Sequence, residues 1–186
     1  MNPIKNKKDL EKTIDEIRNF AYSYLEKYSP SKQQLRIYLF KKLIKTKQNI
    51  SSKKEIFNLI DSIITTLVDN KFISDKHYSD IKSKTFLKRG YSLNKIRYSL
   101  IKKGIDEKYI KASISKIKEK ESDPDFFSAI KICKKRRIGP IREENNRSLF
   151  YKKDISILAR SGFSYELSKK ILDIPKVEFK KFCKMI

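Results

Sequence analysis

Residues 31–42 read SKQQLRIYLFKK, and residues 92–103 read SLNKIRYSLIKK. Ser31 aligns with Ser92, Leu35 with Ile96, Arg36 with Arg97, Leu39 with Leu100, and Lys41-Lys42 with Lys102-Lys103. Apolar spacing alone would arise in any amphipathic helix, so the matching Ser, Arg and Lys-Lys carry the self-similarity. A third, weaker copy ends at Leu158-Ala159-Arg160-Ser161-Gly162-Phe163, in line with Leu100-Ile101-Lys102-Lys103-Gly104-Ile105. In both later copies a Gly follows the last helical residues, where a left-handed C-cap is expected. Units of about fifty residues bury little core alone, so a chain that repeats them folds by stacking neighbours.

The flanking segments repeat as well. Ser52-Lys53-Lys54-Glu55 has the form of a capping box, and Ile56, Leu59, Ile60, Ile63, Ile64, Leu67 and Val68 follow at spacings of three and four. That pattern lays one apolar stripe down a helix. Ile14, Ile17, Ala21, Tyr24, Leu25 and Tyr28 predict a helix upstream, and Leu35, Leu39 and Leu43 one between. Breaks are expected at Tyr28-Ser29-Pro30 and near Asn49-Ile50-Ser51. Asp75, Tyr78 and Lys88-Arg89-Gly90 are echoed by Asp123, Phe126 and Arg136-Arg137 before Gly139, with each Asp expected to cap orphan N–H groups. With 4 Gly and 5 Pro the chain has little turn chemistry for strands. The expected fold is all-α, an elongated tandem array of three three-helix repeats. Its boundaries are a basic N-terminal segment at 1–12, repeats at 13–72, 73–120 and 123–173, and a basic C-terminal tail at 174–186.

Charge limits the partners. The chain carries 45 Lys and Arg against 22 Asp and Glu, a formal net charge of +23, and the three successive thirds share that excess almost evenly. Such a field attracts polyanions, with nucleic acid foremost. No apolar run approaches the ~20 residues of a membrane span, and the N-terminal segment has no apolar stretch of the secretory kind. Cys133 and Cys183 lack metal-type spacing and fit a reducing compartment, so a cytoplasmic location is expected. His77 stands alone, and neither a triad nor a phosphate-binding glycine loop can be assembled around it. No catalysis, cofactor, metal or small-molecule ligand is expected, and the chain is expected to be a monomer.

The candidate contact residues are basic. Lys32, Arg36, Lys41 and Lys42 lie in a stretch with no acid between 31 and 48, and Lys45 and Lys47 continue it. Arg97, Lys102 and Lys103 occupy the matching positions of the second copy, beside Lys95, and Lys88 and Arg89 close the helix before it. Lys134, Lys135, Arg136 and Arg137 form the densest cluster, and Arg160 stands in the third copy. Arg36 and Arg97 recur at one repeat position, and a guanidinium suits phosphate bidentately. Their competing reading is an ion pair within the protein. Most of the 21 Tyr and Phe sit at helical spacing and are assigned to packing.

Taken in order, these residues resemble the RecX family. Ser31, Leu35 and Leu39 come first, then Asp75, Tyr78, Lys88 and Gly90, then Ser92, Ile96, Leu100, Lys103, Gly104 and Ile105. The Lys134–Arg137 cluster follows, and Leu158, Arg160, Gly162, Phe163 and Ser164 close the match. The resemblance spans about residues 20 to 172. Where the family pattern has a Gly before Phe72-Ile73, this chain has Asn70-Lys71, and Ile174 to Ile186 has no partner in the pattern. The resemblance implies a non-enzymatic regulator acting in homologous recombination, DNA repair and the SOS response. Such a protein binds RecA filaments on single-stranded DNA, lodges in the filament groove, and inhibits ATP hydrolysis and strand exchange. Charge alone would also fit a filament-independent, non-specific DNA- or RNA-binding protein.

Overall fold

A computed structural model describes residues 7–46 and 53–186, and every regular element among them is helical. The expected cap at Ser52, the break near 49–51 and Lys47 lie outside the described residues. The helices are α1 (Lys7–Lys27), α2 (Lys32–Thr46), α3 (Lys53–Asp69), α4 (Asp75–Lys88), α5 (Leu93–Ile101) and α6 (Glu107–Lys120). They continue with α7 (Pro124–Arg136), a 3-10 turn at Gly139–Ile141, α8 (Glu144–Arg160), α9 (Tyr165–Leu172) and α10 (Lys176–Lys184). Helix α1 takes in Lys7 to Lys12, residues assigned above to a separate N-terminal segment.

The packing forms two compact units: residues up to Tyr78 with Lys103–Asp106, and Ser79–Lys102 with Glu107–Ile186. The first unit is built on the stripes read from sequence. Ile17 and Ala21 of α1 meet Leu35, Leu39 and Leu43 of α2 and Ile56, Ile60, Ile63, Ile64 and Leu67 of α3, with Ile73 beside them. Each Leu and Ile side chain among them contributes about 1.5–3 kcal/mol when fully buried. In the second unit Phe126, Ala129, Ile130 and Cys133 of α7 pack with Leu158 of α8, Ile171 and Leu172 of α9, and Phe179 of α10. Burial pushes the Cys133 thiol up to about 12, so it behaves there as a small apolar side chain.

The segment expected as a basic tail is therefore a folded helix. Phe179 is buried, Phe182 and Cys183 are partly so, and the rings of Phe126 and Phe182 meet edge to face at 5.0 Å. Three apolar residues on one face of a nine-residue helix suffice to dock it. The lysine-rich composition, which suggests a solvated tail, reflects only the opposite face.

Two further contacts hold the second unit. Asp154, fully buried, accepts from Gly139 N at 2.8 Å and, bidentately, from Arg142 Nε and Nη2 at 2.7 and 2.8 Å. Between α4 and α6, Lys116 Nζ reaches Asp80 Oδ2 at 2.6 Å and Ser113 Oγ donates to Asp80 Oδ1 at 2.8 Å. Burial on its own would raise the Asp80 carboxyl, but these hydrogen bonds and the charges of Lys116 and Lys84 hold it below its ordinary value.

Candidate nucleic-acid interface

The repeated serines form two matching joints. In the first, Ser31 Oγ accepts from Gln34 N at 3.2 Å and donates to Lys103 O at 2.6 Å, while Lys32 N donates to Asp75 Oδ1 at 2.9 Å. In the second, Ser92 Oγ accepts from Lys95 N at 3.1 Å, Ser92 N donates to Ser161 O at 3.2 Å, and Leu93 N donates to Asp125 Oδ1 at 2.7 Å. A carboxylate thus satisfies the first helical N–H of α2 and again of α5, groups with no partner inside their own helix. Gly104 lies against Gln33, and Gly162 against Ser92 and Lys95, each with left-handed φ.

These joints correct the register of the acids. Asp75 does not cap its own helix; Ser74 does, accepting from His77 N at 3.2 Å. Asp123 caps α7 through Phe126 N, and Asp125, two residues on, takes the role that Asp75 plays. The left-handed residue before Phe72 is Lys71 itself, at φ 61°, and not Asn70. Phe72 N donates to Leu67 O and Lys71 N to Val68 O, the bonding that closes α4 at Gly90, α7 at Arg137 and α8 at Gly162.

The candidate cations fall into three groups. The first has carboxylate partners. Arg36 Nε and Nη2 bind Asp61 Oδ1 and Oδ2 at 2.6 and 2.7 Å, and its guanidinium lies 4.6 Å from the Phe57 ring centroid. The hydrogen bond to Asp61 raises the Arg36 pKa above its ordinary value. Arg97 Nε pairs with Glu107 Oε1 at 3.0 Å. Both arginine side chains stay exposed, at 36% and 51%, so the pairs contribute about 1 kcal/mol or less. Phosphate could replace either carboxylate at modest cost.

The second group is tied down by other contacts. Lys32 is half-buried at the first joint. Lys42 lies over the rings of Phe20 and Tyr38 at 5.7 and 6.0 Å, Arg160 Nε donates to Ser156 O, and Lys134 Nζ donates to Cys183 O at 3.0 Å. The third group has exposed side chains: Lys41, Lys88, Arg89, Lys102, Lys103, Lys135, Arg136 and Arg137. Within unit one the first joint sets Lys103 beside Lys32, and within unit two the second sets Lys95 beside Arg160, where Lys95 Nζ donates to Arg160 O. Lys95 also lies 4.5 Å from the Tyr91 ring centroid. The lysines of α10 escape a reading of the sequence because no repeat position flags them. Their signal is the apolar pattern Phe179, Phe182, Cys183.

No family model matches the chain. The regulatory protein RecX of Myxococcus xanthus is 28% identical over 160 residues, covering 84% of each chain. The regulatory protein RecX of Clostridium tetani is 30% identical over 114 residues, 61% of this chain and 51% of the relative. Among solved structures, RecX from Lactobacillus salivarius superposes with a TM-score of 0.59 at 20% identity, covering 88% of this chain and 98% of that one.

Proposed function

Since the chain belongs to the RecX family of regulatory proteins, we propose that it binds RecA filaments on single-stranded DNA and restrains their ATP hydrolysis and strand exchange without catalytic activity of its own. The observation that supports this most is the placement of cations at repeat-related joints, Lys32 and Lys103 at one and Lys95 and Arg160 at the other. A filament presents the same protein surface and the same phosphates at regular intervals. A protein that repeats its own binding element can engage successive copies, and each additional engagement then forms at high effective concentration. Charge shared along the chain supplies the sequence-independent part of the affinity. No helix among the described residues is long and apolar enough to cross a membrane, and on this reading the protein acts in the cytoplasm with RecA.

The test is the DNA-dependent ATPase of the cognate recombinase with this protein added below stoichiometry. The expected result is loss of turnover and shorter filaments. Unchanged turnover and filament length would remove the reading. Inhibition seen only when the protein covers bare DNA would favour filament-independent nucleic-acid binding instead.

A further inference from the structure

Helix α10 lies outside the family pattern, yet one flank of it carries a regular row of lysines. Lys176, Lys180 and Lys184 follow at intervals of four, so they line one flank with about 6 Å between successive positions. Glu178, the acid of this helix, stands two residues from both Lys176 and Lys180 and so on the far side. All three lysines are exposed, and among the described residues none has a carboxylate partner.

The fold adds a second cluster. Helix α10 packs against α7 through Phe179, Phe182 and Cys183, and Lys134 donates to the Cys183 carbonyl in the last turn of α10. This leaves Lys135, Arg136 and Arg137 exposed at the end of α7, in the same part of the unit. Lys134 is thereby accounted for as a helix cap; its three neighbours are not.

We propose that the α7–α10 surface binds the phosphate backbone of double-stranded DNA, independently of any recombinase. The choice of duplex rests on what the surface lacks. Single-strand sites pair a basic groove with exposed rings on which bases stack. Here Phe126 and Phe179 are buried, and Phe127 and Phe182 pack against the core. The surface offers phosphate contacts but no fully exposed ring, which suits a partner whose bases are already stacked inside. The lysine stripe runs about 12 Å, and a duplex places one charge every ~1.7 Å of axis, twice the density of either strand.

The experiment compares the full-length protein with a Lys176→Gln, Lys180→Gln, Lys184→Gln variant on a bare duplex and on one of its strands, across a salt series without recombinase. For the duplex, the log-log salt slope should shrink by ~0.9 for each phosphate no longer neutralised, about 2–3 in all, with single-strand binding nearly unchanged. Replacing exposed lysines of the first unit (Lys27→Gln, Lys53→Gln, Lys76→Gln) should leave the duplex slope near the parent value. Equal reductions in the two variants, or equal reductions on duplex and single strand, would overturn the proposal. A Lys176→Arg, Lys180→Arg, Lys184→Arg variant keeps the charge and must bind duplex like the parent; if it fails, the stripe is structural. Because no filament is present, a negative result here leaves the ATPase test untouched, and the reverse also holds.

Discussion

Lys71 and Arg137 occupy a backbone position that glycine holds elsewhere in the chain. Their φ values are 61° and 53°, against 85° and 89° at Gly90 and Gly162, and the same hydrogen bonds close the helix at all four. A Cβ in this region crowds the following carbonyl and costs roughly 1–2 kcal/mol. Lys71→Gly should therefore raise stability by about 1 kcal/mol in urea unfolding. Ala112→Gly, at an exposed position in the middle of α6, should lower it by about as much. If both substitutions destabilised equally, the left-handed assignment at Lys71 would be wrong. The same scale explains Arg36 and Arg97. A guanidinium meets whichever planar anion lies within reach, and in the folded chain Asp61 and Glu107 are there first.

Among the elements, the joint is the repeated device. It places a serine cap, a carboxylate from a later helix and a close-packed glycine at the N-terminus of α2, and again at that of α5. A Cβ on Gly162 would sit 2.3 Å from Ser92 Oγ and 2.7 Å from Lys95 Cβ, on top of the strain of φ +89°. Gly162→Ala should thus cost at least ~2 kcal/mol, the clash adding to the backbone term. Its check is chemical denaturation alongside Ser92→Gly/Gly162→Ala, where removing the hydroxyl should recover part of the stability. No recovery would show that Ser92 does not set the spacing.

Over the whole molecule, two cores form around separate sets of residues. Leu39 is fully buried in the first and Leu158 in the second. Leu39→Ala should cost about 2–5 kcal/mol through forfeited packing and a residual cavity. Amide exchange should register that cost across α1, α2 and α3, while protection in α7 to α10 stays close to the parent; Leu158→Ala should do the reverse. Protection reduced evenly over the chain in both variants would mean that the two units unfold as one. The net charge of +23 acts at this scale too, opposing compaction while drawing in polyanions.

Helices α1 to α9, their apolar faces and the serine caps of α2, α5 and α9 are legible in the residue order. Each of these is local: Ile56, Ile60 and Ile63 share a face because a helix turns every 3.6 residues, and Ser164 caps Leu167 because the two are three residues apart. Packing, by contrast, settles which anion each arginine meets, which of Asp123 and Asp125 bridges to α5, and that 174–186 folds back onto α7. The Arg36–Asp61, Leu93–Asp125 and Lys134–Cys183 contacts join residues 25, 32 and 49 positions apart. Helical periodicity holds no record of separations so long, because they are fixed only when packed cores bring distant helix ends together.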